Sequence, residues 1–194
     1  MAYPAEADFA ALLGALARQL ESRRIPFMVI GGQAVLVHGE PRLTQDIDVT
    51  VGAGVDRLSD LLAATGEAGL TPLPTDVVAF VGETFVLPVV HEPSSTRVDI
   101  VLSNTEYEAC AISRAQPITV GGAAVPFASA EDLLLHKLFA GRPRDVDDAE
   151  GIVRRKGREL DWTYIRKWAR EFAQVAGREE LPTTVARLQR DAQA

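Results

Sequence analysis

The stretch Ile30–Val51, IGGQAVLVHGEPRLTQDIDVTV, decides how this chain is read. Just before and into it, Pro26 to Ile30 (PFMVI) is a short apolar run of the kind a β-strand buries, and the paired Gly31 and Gly32 end it. Glycine lets the backbone come close to a ligand. Gln33 to His38 (QAVLVH) predicts a short helix, closed by Gly39, Glu40 and Pro41. The glycines therefore stand at a helix N-terminus, where unpaired N–H groups and the positive end of the dipole attract phosphate. Further on, Ile47, Val49 and Val51 alternate with Thr44, Asp46, Asp48 and Thr50, the period of a half-buried strand. Asp46 and Asp48 then share a face.

Carboxylates at i and i+2 of a strand lie roughly 6.5 to 7 Å apart at Cα. That is close enough for both to reach one divalent cation, or a metal pair about 3.5 to 4 Å apart. A purely oxygen donor set favours Mg²⁺ or Mn²⁺ over zinc. An isolated D-x-D reads as a solvated strand face; the glycine pair upstream turns the reading toward a site.

Taken together, Gly31, Gly32, Arg42, Thr44, Asp46 and Asp48 resemble the signature of the nucleotidyltransferase superfamily that shares its core with DNA polymerase beta. The form G-G-x-A, H-G, R-x-T-x-D-I-D is similar to that of the bacterial abortive-infection AbiEii-type toxins and their minimal nucleotidyltransferase relatives. The resemblance implies an α+β fold, a mixed β-sheet flanked by helices, with a C-terminal helical subdomain. It also implies a third aspartate on a later strand, and Thr96 to Leu102 (TRVDIVL) offers Asp99. There Val98, Ile100 and Leu102 take one face and Arg97, Asp99 and Val101 the other, so Asp99 can point where the D-x-D points. The plain alternative is a surface charge on an edge strand.

A second resemblance lies in Glu131 to Val153, EDLLLHKLFAGRPRDVDDAEGIV. Related nucleotidyltransferases carry a lysine on such a helix, followed by an R-x-K-D-x-x-D run. Here the helix holds Lys137 and the run is Arg142, Arg144, Asp145 and Asp148, with arginine where relatives often have lysine. As a compact ammonium, Lys137 suits the neutralisation of triphosphate charge, although it could equally complement its helix C-terminus. Asp145 and Asp148, three apart, share a helix face and could orient Lys137, Arg142 or an acceptor.

Composition bounds the rest. The chain has 194 residues, 47% hydrophobic and 24% charged, enough for one core with an appended subdomain. A division at residues 1–128 and 129–194 is expected. The single Cys110 excludes an intrachain disulfide and fits a reducing compartment. With no apolar run near the ~18 residues of a membrane span and no leader pattern, a cytoplasmic protein is expected. Three histidines and one cysteine make no zinc set, and neither a G-x-S-x-G elbow nor a P-loop is present. His38 and His136 read as packing residues.

Charge is unevenly placed. Residues 1–136 hold 7 basic against 17 acidic residues, whereas 137–194 hold 13 against 10. The densest basic run, Arg154, Arg155, Lys156 and Arg158, is a candidate nucleic-acid surface or a solvated helix face.

Periodicity predicts helices over Ala7–Arg24, Val55–Glu67, Thr105–Arg114 and Ala130–Ala140, the last capped by Ser129. Two hairpins are expected: Val77–Val81 with Thr84–Val90 around Gly82-Glu83, and Pro117–Val120 with Ala124–Phe127 around Gly121-Gly122.

The chemistry implied is transfer of a nucleoside monophosphate from an NTP to an acceptor hydroxyl with release of pyrophosphate. Asp46, Asp48 and Asp99 would bind the metal and Asp99 would serve as base; Gly31 and Gly32 would carry phosphate, with Arg42 and Thr44 contacting phosphate or bracing the strand. The resemblance implies an RNA acceptor, tRNA above all, and a toxin with a protein antitoxin as partner. A small aminoglycoside-type acceptor, which an acidic cleft would suit, stays open. So does a non-catalytic nucleotide-binding regulatory partner.

Overall fold

The computed structural model describes residues 4–44, 46–103 and 105–193. The chain divides into two compact units, one of Met1–Gln33 and Thr44–Phe127, the other of Ala34–Leu43 and Ala128–Ala194. The segment 34–43 thus goes with the C-terminal helices although it precedes most of the sheet.

In the first unit α1 (Pro4–Ser22) leads to β1 (Phe27–Ile30), and α2 (Gly31–His38) carries the chain out into the second unit. The chain returns through β2 (Ile47–Val51), a 3-10 turn at Val55–Arg57, α3 (Leu58–Glu67), β3 (Thr71–Pro72) and α4 (Val77–Thr84). There follow β4 (Val86–His91), β5 (Thr96–Leu102), α5 (Glu106–Ser113), β6 (Gln116–Val120) and β7 (Ala123–Phe127). Among the described residues the strands form one sheet in the order β3-β4-β5-β2-β1-β7-β6. β2 runs parallel to β5 and β1 parallel to β7, and the other pairs are antiparallel. It is the α+β, mixed-sheet arrangement expected.

Alternation sets the register. Phe27, Val29, Ile47, Val49, Val51, Leu87, Val89, Val98, Ile100 and Leu102 are all buried, as are Leu13, Leu16 and Leu20 of α1 and Leu61 of α3. Each such side chain contributes roughly 1.5–3 kcal/mol on burial. A one-residue slip of β2 or β5 would exchange this apolar set for Asp48 or Asp99, so the register is strongly specified.

The region before β4 departs from expectation. Val77–Val81 is helical rather than a strand, and Gly82-Glu83 lies inside α4 instead of forming a hairpin turn. Asp76 caps the helix, its Oδ1 accepting from the Ala79 N–H at 3.0 Å, and Phe85 at φ 56° ends it by donating to the Val81 carbonyl. Local capping outweighs the strand preference of the valines, because only Val81 of the helix is buried. The β6–β7 hairpin does turn at Gly121 and Gly122, with φ +57° and +80°, which glycine adopts without strain.

The second unit joins residues 34–43 to α6 (Ala130–Ala140), α7 (Pro143–Lys156), α8 (Trp162–Phe172) and α9 (Leu181–Gln193). Its core holds Leu133, Leu134, Leu135, Ile152, Ile165, Val185 and Leu188. As predicted, Ser129 caps α6: its Oγ accepts from the Asp132 N–H at 3.1 Å and donates to Asp132 Oδ2 at 2.6 Å. Tyr164 of α8 donates to the other Asp132 oxygen at 2.6 Å, tying the two helices. His38 is buried and shares a hydrogen bond of 2.8 Å between Nε2 and the Ala128 carbonyl, the packing role expected of it. Burial outweighs that bond and leaves its pKa below 6.5. No helix among the described residues is long and apolar enough to cross a membrane.

Candidate active site

Asp48 and Asp99 are register partners across the parallel β2–β5 pair. With Ile30 of β1, opposite Asp48, and Pro88 of β4, opposite Asp99, they form one row across the sheet on the face away from the apolar set. Neighbouring strands lie about 4.8 Å apart, so two carboxylates that are 51 positions apart in sequence share one small region of surface. Asp46 is exposed immediately before β2, and the Thr44 hydroxyl reaches its carbonyl at 3.5 Å.

Gly31 sits against this row. It has φ +64°, and a Cβ there would stand 1.9 Å from Asp48 Oδ2 and 2.6 Å from its Cγ. Only a residue without a side chain leaves the Asp48 carboxylate its place beside the start of α2. Gly31 and Gly32 open that helix, as the sequence predicts.

Arg97, on the same strand face two residues before Asp99 and without an assigned role in the sequence, adds a cation beside this row. Its Nε donates to both oxygens of Asp99, at 2.9 and 3.1 Å. The hydrogen bond and charge of Asp99, and then the charges of Asp46 and Asp48, raise the guanidinium pKa above its ordinary value. All three carboxylates therefore act on this one cation. The signal was the R-x-D spacing on an alternating strand.

Among the described residues no three acidic, histidine or cysteine side chains converge as a ready metal cage. Asp48 leans on Gly31 and Asp99 is held by Arg97. The donors nevertheless fit a hard divalent cation in kind and in backbone placement: all are carboxylates, and two are direct neighbours across a strand pair.

The other candidate residues gather in the second unit. Lys137 is buried, and its Nζ lies 2.9 Å from both Asp145 Oδ1 and Asp148 Oδ2. Arg42 grips Asp148, and Arg142 donates to Asp145 through Nε at 2.5 Å. Burial works to raise the pKa of both aspartates. Hydrogen bonds from Arg142 and Lys137 to Asp145, and from Arg42 and Lys137 to Asp148, prevail and hold both below the usual carboxylate value. The face shared by Asp145 and Asp148 is thus what orients Lys137 and both arginines.

The basic run closes α7. Arg154, Arg155, Lys156 and Arg158, with Arg187 of α9, line a groove of about 610 Å³. Much of this charge is answered locally: Arg154 pairs with Glu40 at 2.8 Å, Arg187 with Asp191 at 3.2 Å and Lys156 with Glu159 at 3.1 Å. Arg155 donates to the Gly39 carbonyl.

The family model of nucleotidyltransferases of unknown function, DUF6036, matches residues 10–185. The chain belongs to this family. Among solved structures, the protein is similar to an antigenic nucleotidyltransferase-like protein from Paracoccidioides brasiliensis at 17% identity and a TM-score of 0.53, over 93% of this chain and 92% of that one. It is similar also to ANT(2")-Ia, crystallised in complex with adenylyl-2"-tobramycin, at 16% identity and a TM-score of 0.52, over 96% and 99% of the two chains. The solution structure of the antibiotic-resistance factor ANT(2'')-Ia matches at 15% identity and a TM-score of 0.51, over 97% and 92%. At such identities the likeness is one of fold, and the fold is that of nucleotidyltransferases. No curated protein matches the chain.

Proposed function

We propose that the protein transfers a nucleoside monophosphate from an NTP to an acceptor hydroxyl and releases pyrophosphate, with Mg²⁺ or Mn²⁺ held by Asp46, Asp48 and Asp99. The pairing of Asp48 with Asp99 across β2 and β5, with Gly31 against Asp48, is the observation that carries this reading.

A bound divalent cation supplies Lewis acidity at the phosphorus and charge neutralisation on the triphosphate. The chain's own residues do the rest. Gly31 and Gly32 present backbone N–H groups at the start of α2 to phosphate oxygens. Asp99 takes the proton of the acceptor hydroxyl. The acceptor oxygen bonds to the α-phosphorus as the bond to the β-phosphate oxygen breaks, and pyrophosphate leaves. Thr44 braces the residues just ahead of β2. Lys137, held by Asp145 and Asp148, is the proposed counter-charge for the triphosphate, while Arg42 is fixed by Asp148.

For the acceptor we propose an RNA end, tRNA foremost, with the chain acting as a toxin restrained by a protein antitoxin. The arginine-lined groove between α7 and α9 supports this, since polyanions are drawn to such surfaces. The other acceptor class, an aminoglycoside, suits the acidic first 136 residues.

Incubation with each labelled NTP, Mg²⁺, total tRNA and an aminoglycoside panel tests the reading. Label should enter one acceptor class and be lost with Asp48→Asn. Binding of NTP without transfer to any acceptor would instead point to a regulatory nucleotide-binding protein. Failure to bind any NTP would sink the assignment.

A further inference from the structure

Asp48 and Asp99 stand side by side across β2 and β5 and repel one another, and the guanidinium of Arg97 bears on this pair. Arg97 stands two residues before Asp99 on β5, on the same face, and its Nε engages both Asp99 oxygens. A guanidinium has only donors, so it cannot share a carboxylate lone pair with a metal ion. An Asp99 oxygen that bonds to Arg97 is unavailable as a metal ligand along that direction. At the same time the Arg97 side chain is 51% exposed against 23% for Asp99. Solvent therefore reaches the guanidinium and can rehydrate it when it lets go, whereas Asp99 stays fixed by the sheet.

We propose that Arg97 is the resident counter-cation of the carboxylate row, holding Asp99 until a divalent metal loads and being displaced from it by that metal. The inference rests on the nucleotidyl-transfer reading above and adds to it a competitor built into the chain. Metal affinity is then the affinity of the carboxylates reduced by the exchange with Arg97. Exposed ion pairs are weak, so the reduction amounts to about two- to five-fold. Such a competitor offsets the repulsion between Asp48 and Asp99 in the metal-free protein without blocking metal entry.

The test uses the full chain without nucleotide, titrated with Mn²⁺ while the free ion is followed by electron paramagnetic resonance. Arg97→Gln should bind Mn²⁺ about two- to five-fold more tightly than the unaltered protein. Arg97→Lys, which keeps the charge but cannot fork onto both oxygens, should fall between the two. A purely structural Arg97 would lower the melting temperature and leave Mn²⁺ affinity unchanged or weaker, and either affinity result overturns the proposal. Should Arg97→Gln not fold, the unaltered protein still decides. Its Arg97 Nε–Hε resonance should shift on Mg²⁺ titration with the same midpoint as metal binding, and a resonance unmoved at saturation overturns the inference. Mn²⁺ binding that Asp48→Asn abolishes but Arg97→Gln leaves unaltered removes the role of Arg97 alone. Absence of any Mn²⁺ binding removes the metal site and this inference with it.

Discussion

Arg42 closes on Asp148 with two parallel hydrogen bonds, Nε to Oδ1 at 2.8 Å and Nη2 to Oδ2 at 2.9 Å, although the two residues are 106 positions apart. The same carboxylate receives Lys137 at 2.9 Å, so a nearly buried Asp148 answers two cations at once. Asp148→Asn leaves both short of a counter-charge, and removal of one member of a buried ionic cluster costs on the order of 3–5 kcal/mol. Denaturant unfolding should show a loss toward the lower end of that range, since Arg42 is part-exposed. A loss below about 0.5 kcal/mol, the scale of ordinary surface changes, would refute the structural weight given to the pair.

Lys137→Met separates holding from ligand binding. Because the ammonium serves Asp145 and Asp148 together, Lys137→Met and Asp145→Asn combined should destabilise less than the sum of the single changes. If Lys137 also reaches triphosphate, KM for the NTP should rise in Lys137→Met and stay unchanged in Arg142→Gln. Equal KM values in both variants would assign Lys137 to structure alone.

Asp99→Asn retains shape but can neither accept a proton nor bind metal well. Transfer should fall about 10²- to 10⁴-fold, the scale of general-base loss, with the melting temperature nearly unchanged because Asp99 is partly exposed. Retention of more than a tenth of the activity would remove Asp99 from the mechanism.

Gly31→Ala combines two penalties. A left-handed φ of +64° costs a residue with a Cβ about 1–2 kcal/mol, and that Cβ would collide with Asp48 Oδ2. The variant should unfold at lower temperature and lose Mn²⁺ binding as Asp48→Asn does. Normal metal affinity in a destabilised Gly31→Ala would show that Asp48 moves aside freely.

Acid should weaken the protein in two separate ranges. Burial depresses the His38 pKa below 6.5, so from about pH 6.5 downward the unfolded chain takes a proton that the folded chain refuses, and stability falls. Asp145 and Asp148, held below 3.8 in the folded state, contribute their full stabilisation above that value and lose it as pH falls below it. His38→Gln should flatten the first range and leave the second. Identical pH profiles for the two proteins would exclude His38 as the source.

Much of the candidate site was legible because its parts are local. Period two in residues 44–51 and 96–102 put Asp48 and Asp99 on polar strand faces, the glycine pair marked the start of α2, and Asp46, expected on the same strand as Asp48, lies just ahead of it. What stayed hidden depends on non-local partners or on competing local rules. Val77 and Val78 prefer strands, yet the Asp76 cap and the left-handed Phe85 make that segment helical. Helix α9 falls in the expected helical subdomain, with Leu181, Val185 and Leu188 recurring at helical spacing and buried. No spacing rule could join Arg42 to Asp148, and the R-x-D spacing gives Arg97 and Asp99 a shared face without fixing the hydrogen bonds between them.

The excursion of residues 34–43 into the second unit also shapes how the protein is made. During synthesis that segment emerges long before α7, so Arg42 waits for Asp148, Glu40 for Arg154 and the Gly39 carbonyl for Arg155. A message truncated after Phe127 would therefore leave residues 34–43 without the helices of their own unit. The helices after Phe127 thus complete a unit that the chain begins at Ala34.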